Sequence, residues 1–261
     1  MRALLYLPSS LSFFIVVAVS VAIALFGLML VRKRYSPEKL RENHEVAGFI
    51  FNAFGLIYAV LLAFVVFAAW TEYETSKENI EAEANKLSDL YLDSEGFPEP
   101  IRAETRTRIL KYAYIVVKDE WQKMENGERS EDARIVLEDI FKYYLSIDVN
   151  NIPNIYAYQE SLKRLNELSE SRRIRLLDSK DNVPGIIWLV VIVGAVISIG
   201  YTYLFGSYRA SAQYIMTAAL TITNSMVLFL IYILDHPFTG NNKILPDALQ
   251  RIIETYKNFP F

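Results

Sequence analysis

The chain has 261 residues, 52% hydrophobic and 22% charged, with a formal net charge of −3 and no cysteine. That balance gives no support for nucleic-acid binding. The missing cysteine excludes disulfides, thiolate metal sites and a thiol nucleophile.

Mean hydropathy is +0.19, and the apolar and charged residues segregate along the chain instead of mixing. Apolar runs fall at residues 11–31, 46–70, 184–206 and 210–234. A helix rises about 1.5 Å per residue, so about 20 apolar residues cross a hydrocarbon core of about 30 Å. Each run is long enough for one span. The first follows a single basic residue, Arg2, and leads into Arg32-Lys33-Arg34 with no small-residue cleavage site. It is expected to be a retained anchor, not a removed leader.

The second run carries Gly48, Asn52, Gly55, Ala59 and Ala63, spaced three and four apart and so on one helix face. Two readings fit this face. One is close helix packing, where small residues let backbones approach. The other is pore lining, with Asn52 offering a neutral dipole to a passing ion. Trp70 and Tyr73 stand where an interfacial aromatic belt would lie. The helical pattern continues without Gly or Pro to Gly96-Phe97-Pro98, so one helix is predicted from about 46 to 94. Its heptad-like seam is Trp70, Tyr73, Lys77, Ile80, Ala84, Leu87 and Tyr91. The seam packs either on the chain's own domain or on another copy.

Three more helices fill the rest of the 71–183 segment. The first starts near Pro98 and Pro100 and ends at Gly127. The second has Ser130 as its N-cap and Val136, Leu137, Ile140 and Tyr144 as its stripe. A loop over Asp148 to Asn154 precedes the third, with Ile155, Tyr158, Leu162 and Leu165. A small all-α domain results. Pro184-Gly185 opens the third span, and Gly206-Ser207-Tyr208-Arg209 links it tightly to the fourth, giving an antiparallel hairpin.

Thr217, Thr221, Asn224 and Ser225 lie near one face of the fourth span. The hydroxyls can bond to the preceding turn, while the Asn224 amide is expected to face protein or water. Asp235-His236 stands at a membrane boundary before a Pro turn. The pair either caps the helix end or responds to pH. Residues 235–261 form an amphipathic tail with Leu245, Leu249, Ile252, Ile253 and Tyr256.

Motifs for chemistry are absent. There is no phosphate-cradling Gly-rich loop, no G-x-S-x-G and no Ca²⁺ loop. His44-Glu45 begins like a zinc-protease motif, but Gly48 stands where the second His belongs. The scattered carboxylates read as solvated helix faces. No enzyme activity, cofactor or metal site is expected. No Asp, Glu, Lys or Arg lies deep in a span, which argues against an ion-coupled transporter and tolerates a passive channel.

The run Asn52-Ala53-Phe54-Gly55-Leu56-Ile57-Tyr58-Ala59-Val60-Leu61-Leu62-Ala63-Phe64-Val65-Val66, with Trp70 and Tyr73, resembles the bestrophin-like domain-of-unknown-function family of membrane proteins. So do Glu83-Ala84, Leu87, Leu90-Tyr91 and Leu234-Asp235-His236-Pro237-Phe238 with Gly240. The resemblance implies a distant relation to bestrophins, pentameric anion channels with four spans, a helical domain between the second and third, and a pore lined by the second helix. The bestrophin neck motif is not recognisable in the second span, and the acidic Ca²⁺ clasp is absent after Phe238.

Orientation draws on two opposed arguments. Arg32, Lys33, Arg34, Lys39 and Arg41 crowd the first loop and Arg209 lies in the third, which places those loops in the cytoplasm. The bestrophin arrangement places the helical domain there instead. The expectation is an all-α polytopic protein of the cell (inner or plasma) membrane. It has four transmembrane helices in a 2+2 arrangement around a helical extramembrane domain, a bestrophin-like layout. Its expected partners are the lipid bilayer, passing ions and further copies of itself, five by the family analogy. Its expected function is an oligomeric, channel-like passive conductor of ions, anions by the resemblance, along an axis lined by the second span. The alternative is a non-conducting scaffold or sensor whose helical domain binds a partner.

Overall fold

The computed structural model describes residues 5–41, 44–180 and 182–257. Helices dominate, and no strand occurs among the described residues. In chain order they are α1 (Ser9–Arg34), α2 (Pro37–Arg41), α3 (His44–Asp93), α4 (Ile101–Ile115), α5 (Trp121–Met124), α6 (Glu131–Ser146), α7 (Ile155–Asp178), α8 (Gly185–Leu204), α9 (Ala210–Leu234) and α10 (Asp247–Lys257). Four of them, α1, α3, α8 and α9, are long and apolar enough to cross a membrane.

Local chemistry sets the breaks. Arg32, Lys33 and Arg34 occupy the last turn of α1, where cations offset the helix dipole. Ser130 caps α6 by accepting the Ala133 N–H at 3.1 Å, and Asn154 caps α7 by accepting that of Ala157 at 3.3 Å. A π-helical turn over Val116–Glu120 joins α4 to α5. Gly127, at φ 71°, then ends that stretch in a conformation glycine adopts freely.

The chain divides into two compact units. The first holds Met1–Tyr73, Asn182–His236 and Gly240–Asn242; the second holds Glu74–Asp181, Pro237–Thr239 and Lys243–Phe261. Helix α3 contributes to both.

In the first unit α1 packs chiefly on α9, and α9 on α8. Two tyrosines fasten neighbouring helices in the same way. Tyr58 of α3 lies over Gly194 of α8 and donates its hydroxyl to the Val191 carbonyl at 2.8 Å. Tyr203 of α8 lies over Gly27 of α1 and donates to the Ala24 carbonyl, also at 2.8 Å. Each accepting carbonyl sits three residues before its glycine, so the missing Cβ is what lets the ring reach the helix backbone. The stretch Leu5–Ser9, which leads into α1, is held by residues that follow α9. The Asn241 N–H donates to the Leu5 carbonyl at 2.9 Å, and Ser9 Oγ donates to Asn242 Oδ1 at 2.6 Å. Gly240 adopts φ 82°, and a Cβ there would stand 2.3 Å from the Leu5 oxygen.

The second unit has one apolar core. Ile80, Ala84, Leu87, Leu90 and Tyr91 of α3 pack with Ile109, Tyr112, Val116, Leu137, Ile140, Leu165 and Leu168. The lower seam of the second predicted helix therefore packs on the chain's own domain, while Trp70 is half exposed and Lys77 pairs with Glu74 at 3.3 Å. Helix α10 closes this core. Tyr256 stacks on Tyr91 with ring centroids 3.9 Å apart, and its hydroxyl shares a 2.7 Å hydrogen bond with Ser88.

Candidate functional site

At about 100° per residue, the apolar part of α3 presents three distinct faces. One packs inside the first unit: Phe51, Phe54, Tyr58, Leu61, Leu62 and Val65, against Tyr201, Phe205, Val191 and Ile231. A second carries large exposed apolar side chains, Phe49, Leu56, Val60, Phe64 and Phe67. Between them runs the small and polar face. Asn52, Ala59 and Ala63 are exposed, and Gly48 and Gly55 are half-buried. A Cβ added to Gly55 would meet nothing within 4 Å, and one added to Gly48 would meet only the Phe205 ring, at 3.9 Å. This stripe makes no close helix contact within a single chain among the described residues.

The α9 residues lie differently. Thr217, Thr221, Asn224 and Ser225 are all buried in the first unit, as is Gln213 one turn earlier. Thr217 Oγ1 donates to Thr202 Oγ1 at 2.9 Å, and Thr221 Oγ1 donates to the Thr217 carbonyl at 2.8 Å. Gln213 Nε2 donates to the Thr202 carbonyl at 3.1 Å, while its Oε1 accepts from Arg32 Nη1. Arg32 Nη1 also reaches the Ser207 carbonyl at 3.1 Å. The Asn224 Nδ2 has no partner among the described residues.

Asp235 and His236 follow α9 directly. Asp235 accepts the Val183 N–H at 2.5 Å and Trp188 Nε1–H at 3.0 Å, so it ties the start of α8 to the end of α9. Burial raises its carboxyl above the ordinary Asp value, against the pull of those two donors. His236 Nδ1 lies 3.0 Å from the Tyr232 carbonyl and 3.9 Å from Asp235 Oδ2.

The second unit corrects the reading of its carboxylates as solvated. Glu83 of α3 and Glu120 of the π-helical turn are fully buried, together with Arg175 of α7. Arg175 spans both acids: Nε to Glu83 at 2.5 Å and Nη2 to Glu120 at 2.9 Å. Arg172 adds bonds to Glu120 at 2.5 and 3.1 Å, and the Tyr112 hydroxyl donates to Glu83 at 3.0 Å. Two acids and two guanidiniums balance. Burial alone would push the Glu120 carboxyl up; Arg175 and Arg172 outweigh it and hold the group below the usual carboxylate range. Burial and then the Glu83 charge push the Tyr112 phenol well up. A sequence signal existed, because Glu83 and Glu120 fall among the positions of apolar stripes, between Ile80 and Ala84 and between Val117 and Trp121. Among the described residues no group of His, Asp or Glu could hold a metal ion.

A family model described as the bestrophin-like domain matches residues 18–249. Among solved structures, a tryptophan-to-alanine variant of a bacterial bestrophin homologue from Klebsiella pneumoniae is similar at 13% identity with a TM-score of 0.70, covering 96% of this chain and 97% of that one. A leucine-to-threonine variant of the Klebsiella pneumoniae homologue gives 12% identity and a TM-score of 0.69, covering 95% and 99%. At such identities the likeness speaks to the fold. No curated protein matches the chain.

Proposed function

We propose, from the premise that this chain belongs to the bestrophin-like family, that it assembles into an oligomeric channel conducting ions passively along an axis lined by α3. The four apolar helices make it a multi-pass membrane protein. The observation that carries the reading is the free stripe of Gly48, Asn52, Gly55, Ala59 and Ala63. Among the described residues it is exposed at Asn52, Ala59 and Ala63 and half-buried at its two glycines, yet it differs from the large apolar face that suits lipid. Copies arranged about an axis on this stripe would surround a neutral lining with small side chains and one amide per subunit. Amide N–H groups can turn toward an anion, in keeping with the anion channels of the wider family. Five copies follow the same analogy. The basic first loop supports a cytoplasmic side for that end of the first unit, against the bestrophin arrangement.

The test is flux of halide into liposomes containing the purified protein. Asn52→Leu is expected to cut flux at least about tenfold, since an ion then meets apolar side chains in place of an amide. Flux unchanged by Asn52→Leu would remove Asn52 from the conduction path. No flux from the unaltered protein would favour the non-conducting scaffold.

A further inference from the structure

A cleft of about 730 Å³ opens at the α8–α9 link, lined by the link itself and by parts of α3, α8 and the first turns of α9. Its lining has two characters. Phe51, Phe205, Met216 and Leu220 make an apolar wall, and Gln213 and Arg209 belong to its polar end. Tyr208, Arg209 and Met216 are exposed, so the cleft is open to the surroundings at both characters.

Among the described residues no carboxylate offsets the charge at the polar end. Arg209 is exposed and lines the cleft. Arg32 is partly buried behind Gln213, with its Nη1 spent on the Gln213 amide oxygen and the Ser207 carbonyl. Among the described residues no carboxylate pairs with either guanidinium. A partly buried cation without an acid is costly unless an anion comes to it. The apolar wall descends from that end along α9, one of the four helices long enough to span the bilayer. A soluble anion has no use for such a wall, while an acyl chain does.

We propose that this cleft binds an anionic phospholipid from the surrounding leaflet. Its phosphate lies at Arg209, within the field of Arg32, and one acyl chain lies along Phe51, Met216 and Leu220. This proposal stands apart from ion conduction and holds for a silent assembly as well.

The test is native mass spectrometry of the purified protein in detergent micelles. These are doped with phosphatidylglycerol, with phosphatidylcholine of the same chains, or with inorganic phosphate alone. The unaltered protein is expected to retain about one phosphatidylglycerol per subunit in preference to phosphatidylcholine. Arg209→Gln is expected to weaken that retention about tenfold and to leave phosphatidylcholine unchanged; Arg209→Lys keeps most of it. Ala212→Trp, which fills the cleft, is expected to abolish retention with Arg209 intact. Arg209 is exposed, so its variants keep the fold, and the Gln and Lys variants decide the matter even if Ala212→Trp fails to fold. Equal phosphatidylglycerol retention by Arg209→Gln overturns the proposal. So does competition by inorganic phosphate as effective as that by the lipid, since the apolar wall would then contribute nothing.

Discussion

Arg175 ties three elements of the second unit together. It is fully buried and joins α7 to Glu83 on α3 and to Glu120 on the π-helical turn. Removing it leaves two buried carboxylates with one guanidinium between them. Arg175→Met is expected to destabilise the protein by about 3–5 kcal/mol, the range for breaking a buried ion pair from one side. A thermal denaturation series should show it at neutral pH. The pH dependence has a definite sign. Because the folded-state pKa of Glu120 is depressed, its contribution is complete above the ordinary Glu value and is lost as pH falls through the folded-state value. The gap between the unaltered protein and Arg175→Met should therefore narrow in acid, as the stranded carboxylates take up protons. A gap that widened on acidification would contradict the arrangement.

Two pairs of elements in the first unit, α3 with α8 and α1 with α8, meet at a glycine. A Cβ on Gly194 would lie 2.2 Å from the Tyr58 ring, so Gly194→Ala must displace the ring and break its bond to the Val191 carbonyl. The expected loss is about 1–3 kcal/mol, as for other overpacked sites. Gly55→Ala, with nothing within 4 Å, serves as the comparison and should leave the melting midpoint of the dispersed single chain unchanged. Equal effects from both substitutions would remove the latch as an explanation. The contrast also marks what the amino-acid order can disclose. Four spans, the long α3, the Ser130 cap and the stop at Gly127 are local matters of run length, period, cap and glycine, and the local order of residues reveals them. Gly27 and Gly194 look like any glycine in an apolar run, because their role depends on which helix comes alongside. Glu83, Glu120, Arg172 and Arg175 are similar: their signs cancel only after α3, α7 and the π-helical turn have met. The α3 stripe could be read from spacing, whereas its exposure within the single chain could not.

At the level of the whole molecule, the first unit fixes which segments share a side of the membrane. Asn241 and Asn242 hold Leu5 and Ser9, so the entry to α1 and the exit from α9 lie at one end. Arg32 holds Ser207, so the exit from α1 and the α8–α9 link lie at the other. The absence of cysteine makes single introduced thiols unambiguous reporters. Ser36→Cys and Tyr208→Cys should be shielded from a membrane-impermeant thiol reagent in intact cells, and Asn242→Cys should react. The opposite pattern would put the basic loop outside, and a split between Ser36 and Tyr208 would contradict the packing itself. The pairing of α1 with α9 also governs how the protein is made. Helix α1 leaves the ribosome before α9, and residues 35–209 must follow before α9 begins. At about 5–20 residues per second that is a delay of roughly 9–35 s. For that time the part of α1 that packs on α9 waits in the bilayer for its partner. The second unit waits as well, since α10 closes its core. Synthesis halted after α8 would leave both units unfinished, and a nascent chain at that stage is one that membrane quality control has every physical reason to recognise.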